Sequence, residues 1–369
     1  MLEMNQPSSD EDRHPGGSSR APAGDDLLPP VEPPSAGFII QLFVVPALIV
    51  LVIVSVWFTF SWLVRRTATR PQDLIQGLEQ GPSIARWQRA SELADMLRNE
   101  RFAEFKRSPE LAAQLAEILA REIDQANGAN GMEQEQITLR YFLARALGEF
   151  EVQEGIGVLL KAAETSRSPS EQLVRRGALE AIAVRAFNLG RLEPPQEIEH
   201  RRLYSVLSQL ANDDEPFIRS QVAYTLGQIG TPAAIERLAV MADDPNPDTR
   251  YNAAVGLAHH GNEKAVETLA EMLDPQELAS VREEPNDQDK AFKRAVIMSN
   301  ALQAAEALAR ENPKADLTSL VEALERLAQA DAETLADAQI PSRVTSDAQR
   351  VLDALRANVH KKGVGSRAL

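Results

Sequence analysis

Residues with the chemistry to act on a ligand are sparse in this chain of 369 residues, and their spacing says more than their number. Arg140, Arg175, Arg219 and Arg250 recur in phase, each opening an apolar pattern of helical spacing. A row of guanidinium groups suits phosphates. Residues 71–369, however, carry 34 basic and 47 acidic side chains, a net −13 that repels polyanions, so no nucleic-acid partner is expected. The adjacent His259 and His260 would point about 100° apart on a helix. No third ligand lies near them and no HExxH spacing occurs, while a helix C-terminus favours histidine through its dipole alone. The carboxylates Glu283, Glu284, Asp287 and Asp289 sit in the polar stretch 282–290, where nothing apolar would raise a pKa for acid–base work. With no cysteine there is neither thiolate chemistry nor a disulfide, and the redox compartment is left open. The expectation is no catalytic residue, no metal site, no cofactor and no enzymatic activity.

The arginines belong to an internal repeat. Ile218-Arg219, Ala223, Leu226, Gly230, Ile235 and Leu238 return thirty-one residues later as Thr249-Arg250, Ala254, Leu257, Gly261, Val266 and Leu269. Arg140, Ala144, Leu147, Ile156 and Leu159 precede Arg219 and its companions by a constant seventy-nine, and a fourth copy starts at Val174-Arg175 with Ala178, Ile182 and Ala183. A period of this length with helical apolar spacing means stacked helical hairpins. Hydrophobic content of 44% with only 5% aromatics, and no extended β-branched run outside one segment, argues against a sheet. The expected fold is all-α, an α-solenoid preceded by one transmembrane helix.

That segment is residues 37–64. No charge occurs from Phe38 to Val64, and fifteen of the nineteen residues from Phe38 to Val56 are Ile, Leu, Val or Phe. Nineteen helical residues span about 28 Å, close to the hydrocarbon core of a bilayer. Trp57 and Trp62 with Arg65 and Arg66 form an aromatic and basic flank, whereas the tail 1–36 holds seven acidic residues against two arginines. The positive-inside rule then puts the N-terminus outside and the repeats in the cytoplasm, in a membrane of the bacterial inner type. A signal peptide would need a basic start, a shorter apolar run and a small-residue cleavage site. The Pro-rich tail should be a disordered spacer, residues 65–82 a juxtamembrane linker with at most one short helix around Asp73 to Glu79, 83–360 the solenoid with its clearest repeats at 139–273, and 361–369 a flexible end.

Ser108-Pro109-Glu110 and Thr231-Pro232 read as helix starts, and the turns 212–216 and 243–248 combine stops and caps. Further helices are expected over 289–310, 317–330 and 344–359. The first hairpin, from Ser83, shows no clear arginine register, as suits a capping pair. The stretches 191–200 and 282–290 break the period and are weak candidates for partner contact.

Asp214, Ile218-Arg219, Ala223, Leu226-Gly227, Gly230 and Leu238 resemble the short HEAT repeats of the phycobilin-lyase type, over residues 139–273. The resemblance implies antiparallel helix pairs whose inner helices line a concave partner-binding face. It also implies that the recurrent arginines, Arg140, Arg175, Arg219 and Arg250, pair with turn aspartates such as Asp213, Asp214, Asp243 and Asp244 as a structural ladder. On this basis the chain is expected to be a membrane-anchored scaffold or adaptor, held in the bilayer by residues 38–64. Its concave second-helix surface would expose Glu236, Arg237, Glu263, Lys264 and Glu267 to a basic or mixed-charge protein partner. The alternatives are a phycobilin-lyase-like, tetrapyrrole-handling protein and a structural subunit of a membrane complex.

Overall fold

The structure is a computed structural model that describes residues 36–66, 71–80, 83–126, 134–165, 171–277 and 279–365. The expected disordered tail up to residue 35 and the last four residues of the expected flexible end lie outside the described residues. The chain divides into two units, residues 1–68 and 69–369.

The first unit contains α1 (Ala36–Arg66), a little longer than the apolar run because helix propensity continues through its flanks. Within it Ile40–Thr59 is long and apolar enough to cross a membrane, and none of that stretch is buried by protein. A row of exposed Leu, Val, Ile and Phe side chains has no stable place in water. The Thr59 hydroxyl in this stretch bonds back to Ser55 O at 2.7 Å. Trp57 is exposed and packs edge-on against Phe58 at 5.6 Å. Trp62, Arg65 and Arg66 fall in the last turns of α1, but their side chains lie outside the described ones.

The second unit is helical throughout its described residues. It starts earlier than expected: α2 (Pro71–Gln80) lies in the supposed linker, and its Leu74, Ile75 and Leu78 are buried in the common core. Then come α3 (Ser83–Arg98), α4 (Ala103–Lys106), α5 (Pro109–Ala126), α6 (Gln134–Gly148), α7 (Ile156–Ala163), α8 (Gln172–Gly190), α9 (Leu203–Leu210), α10 (Pro216–Ile229), α11 (Pro232–Met241), α12 (Pro247–His259), α13 (Ala265–Met272), α14 (Asp287–Glu311), α15 (Thr318–Ala328), α16 (Ala332–Asp337) and α17 (Ser342–Gly365). The helix expected over 317–330 ends at Ala328 and is followed by the separate α16, capped by Asp331 on the amide of Thr334. The last helix runs on to Gly365, into the stretch expected to be flexible.

Local signals account for the boundaries. Thr231 and Asn246 accept the amides of Ala234 (3.4 Å) and Thr249 (3.1 Å), each followed by a proline that fits the first helical position. Gly230 ends α10 at φ +65°, and its amide reaches Leu226 O at 3.0 Å.

The helices form two layers. First helices α3, α6, α8, α10, α12 and α14 pack successively against one another, while the second helices α7, α9 and α11 meet only lightly. Small residues set that spacing: a Cβ on Gly227 would come within 3.0 Å of Gly256 Cα. A stack that is tight in one layer and open in the other curves toward the tight one. The inner face is therefore built from first helices, which corrects the expectation of a concave second-helix surface.

Candidate functional site

Arg175, Arg219 and Arg250 lie in the first turn of their helices, and Arg219 and Arg250 fold back over the turn that feeds them. Arg219 donates from Nη1 to the carbonyls of Asp213 (2.9 Å) and Asp214 (3.3 Å), and from Nε and Nη2 to both carboxylate oxygens of Asp244 (2.8 and 3.0 Å). Arg250 repeats the first half of the pattern on the carbonyls of Asp244 (3.0 Å) and Pro245 (3.2 Å), and then reaches Glu271 at 2.6 Å. One turn residue thus serves two arginines. Asp213 does the same one unit earlier, with its carboxylate on Arg175 at 2.5 Å and its carbonyl on Arg219. Arg140 is held in a two-pronged pair by Glu171, both bonds 2.9 Å.

Burial works to raise the pKa of Asp244, but the hydrogen bonds from Arg219 and the Asn246 amide and the charges of Arg219 and Arg250 hold its carboxyl below the usual value. Each such group is tied to another unit of the fold, so the chemistry is that of a fastening. Sequence reasoning missed three members of it. Arg86, Ala90 and Leu93 repeat the spacing of Arg140, Ala144 and Leu147, and Arg86 pairs with Glu122 at 2.6 Å; this puts the arginine register in the first hairpin after all. Arg294 holds Ala338 O at 2.5 Å. Arg185 lies off the register, fully buried, donating to the carbonyls of Leu147, Val152 and Glu154, and burial pushes its pKa down to about 10 against the pull of Glu154. No short-range pattern marks it, because its partners are main-chain oxygens of another unit.

The inner face carries a groove of about 420 Å³ lined by Arg98, Arg145, Glu149, Glu180, Ala181, Val184, Gln221, Tyr224 and Asn252. These come from α3, α6, α8, α10 and α12 and from the residue just after α6. Tyr224 is 43% exposed, and burial of the rest of its ring raises its hydroxyl pKa, with the charge of Glu180 adding to the effect.

Of the proposed second-helix residues, Glu236, Glu263, Lys264 and Glu267 are exposed as expected and Arg237 is not, and three of the five already have partners within the fold. Glu236 and Glu263 are exposed, but Arg237 is half-buried and donates to Asn212 at 2.7 Å. Lys264 is tied to Ala239 O (2.6 Å) and Asp243 (2.7 Å), and Glu267 accepts from Ser319 at 2.7 Å. An outer-side depression, also about 420 Å³, lies among Asp243, Glu263, Lys264, Glu267 and Asp316.

His260 bonds Gly227 O at 2.9 Å and fills the space over Gly230, where a Cβ would meet its ring at 2.2 Å; it closes the end of α10. Burial lowers the pKa of His259, with His260 and Arg310 adding to the shift. Glu284 and Asp287 pair with Lys293 (3.1 Å) and Lys290 (3.2 Å) at the start of α14. The loop 191–200 is clamped by Gln153, which bonds Glu197 O (2.9 Å) and the amide of Glu199 (3.0 Å). No cluster of three or more His, Asp or Glu residues suited to a metal occurs among the described residues.

No curated protein matches the sequence. The structure is similar to that of human deoxyhypusine hydroxylase in complex with glycerol, at 19% identity and a TM-score of 0.27, over 78% of this chain and 96% of that one. That protein is an enzyme, and the expectation that this chain is none is left without support. Residues 182–245, from α8 through the turn after α11, match the family model of HEAT repeats, and the described residues form an all-α solenoid.

Proposed function

We propose that the chain is a single-pass membrane protein whose helical-repeat unit holds an extended segment of a partner protein in the first-helix groove. The supporting observation is the groove itself. Successive first helices each contribute to it, and among the described residues no hydrogen bond or ion pair engages the side chains of Arg145, Gln221 and Tyr224 there. In the outer depression Lys264 and Glu267 already serve the fold, which makes the inner face the better docking surface. The apolar stretch Ile40–Thr59 would provide the anchor, with the acidic tail outside and the repeats in the cytoplasm. Reporter fusions at the C-terminus test that orientation; alkaline phosphatase activity there would reverse it. A photo-crosslinking residue at position 224 should capture the partner in cells, and one at position 236 should not. Crosslinks from position 236 alone would sink the inner-face reading.

A second reading has one observation in its favour. The groove falls in the size range of small-molecule sites, roughly 300–1,000 Å³, and Tyr224, Glu149 and Glu180 supply the aromatic and acidic walls that a tetrapyrrole-handling protein requires. A titration with a linear tetrapyrrole decides it: a shifted, saturable absorbance band supports it, and an unchanged spectrum removes it.

A further inference from the structure

We propose that the first-helix groove selects an extended peptide bearing an acidic side chain, and that Arg145 receives that carboxylate. This deepens the scaffold reading and rests on it. The charged residues that line the groove, Arg98, Arg145, Glu149 and Glu180, sum to zero, but both carboxylates already have partners. Glu149 is engaged by Arg98 at 3.3 Å, and Glu180 by Arg176 on the same helix at 2.6 Å. Arg145 meets no carboxylate among the described residues. Its guanidinium lies over the rings of Tyr141 (5.6 Å) and Phe142 (5.8 Å), and Phe142 stacks in turn on Trp87 at 6.2 Å. Aromatic faces hold a guanidinium in place and strip part of its water, while its N–H edge stays free for a two-pronged carboxylate contact. One guanidinium of the groove is therefore left without a carboxylate among the described residues, in a chain of net charge −15. Charges more than about 8 Å away are largely screened at physiological ionic strength, so the near guanidinium outweighs the distant acidic surface.

The remaining walls suit a peptide better than a small anion. Beyond Arg145 they pass Glu180, which Arg176 holds, and are otherwise neutral, through Val184, Gln221, Tyr224 and Asn252. Packed helices lie about 8–10 Å apart and an extended chain rises about 3.3 Å per residue, so a strand crossing this layer advances about three residues per helix. An acidic side chain at Arg145 on α6 then places main chain about six residues further along beside Gln221 on α10. The Gln221 amide can donate to and accept from a peptide group. Midway, an apolar side chain would meet Val184 on α8, with the Tyr224 ring of α10 beyond it. A basic segment finds no such fit, because both carboxylates of the groove are already engaged.

The test uses the full chain in nanodiscs. A positional-scanning library of short fluorescent peptides should enrich Asp or Glu at one position and an apolar residue about three places along. Fluorescence anisotropy with the best peptide should show about tenfold weaker binding for its Asp→Asn or Glu→Gln version and for Arg145→Ala. Arg145→Glu should switch preference to a Lys-bearing peptide at an unchanged melting temperature. Equal binding of acidic and neutral peptides, no effect of Arg145→Glu, or displacement by inorganic phosphate as effective as by unlabelled peptide would each overturn the assignment. If crosslinks from position 224 persist while Arg145→Glu leaves affinity unchanged, the scaffold reading stands and the acidic-peptide assignment alone falls.

Discussion

Arg140 and Arg175 do the same job as Arg219 and Arg250 in a different medium. The first two are 1% exposed, paired with Glu171 and Asp213 at 3% and 0%. Arg219 and Asp244 are 13% and 10% exposed, and Arg250 and Glu271 reach 22% and 36%. The regular thirty-one-residue copies thus hold their pairs nearer water, and the irregular copies hold theirs in the core. An identical sequence register carries very different energetic stakes. A buried charge whose partner is removed has no solvent to turn to, whereas a half-exposed one is rehydrated at small cost.

The comparison breaks most directly at Asp213. Asp213→Ala should lower stability by about 3–5 kcal/mol, because it leaves Arg175 charged in the core. Replacing both partners, Arg175→Met with Asp213→Leu, should recover most of the loss. Denaturant unfolding of the second unit measures both, and equal costs for Asp213→Ala and Glu271→Ala would erase the distinction. Gly227→Val comes next, at about 1–3 kcal/mol, because its side chain must push α10 away from Gly256 and so lengthen the reach of Arg219. Arg250→Ala should cost less, roughly 0.5–1 kcal/mol, and lose part of that effect in high salt. Its value at low and high salt, set beside that of Arg175→Ala, sharpens the contrast.

The smallest effect is a pH dependence. The folded pKa of Asp244 lies below its unfolded value, so its contribution is complete above the ordinary carboxylate pKa of about 3.9. It is lost as pH falls through the lower folded value. Wild type and Asp244→Asn should therefore converge in stability on acidification below about pH 4. A gap that stays constant down to the acid limit would show that the pair contributes by packing alone.

How much of this was legible follows from the range of the interactions. The helix starts at Pro109, Pro232 and Pro247 rest on a cap and a proline within a few residues, so they stand in the sequence. The helix that ends at Ala126 starts at Pro109 as expected for that reason. The arginine register was readable as a period, yet its members at Arg86 and Arg294 went unread because their flanking turns differ from the regular copies. The acid for Arg140 is Glu171, at the start of the next first helix, and for Arg250 it is Glu271, at the end of a second helix. Neither lies at the aspartate turn that the repeat suggests, since irregular turns move the nearest carboxylate elsewhere.

The groove shows the limit more sharply. Its residues come from helices more than a hundred and fifty positions apart, between Arg98 and Asn252, and none forms a local motif. A polar face looks the same in sequence whether it turns to open water or to a concave wall.

By itself the sequence determined what short-range physics can carry. It set the helical period, the caps, the absence of cysteine, and the apolar run long enough to cross a membrane. Which layer became the inner one was decided by tertiary packing, through the close approach at Gly227 and Gly256. Packing likewise decided which carboxylate each arginine found and which guanidinium was left over at Arg145. Those outcomes depend on distances between chain segments far apart in sequence, and such distances exist only once the helices have stacked.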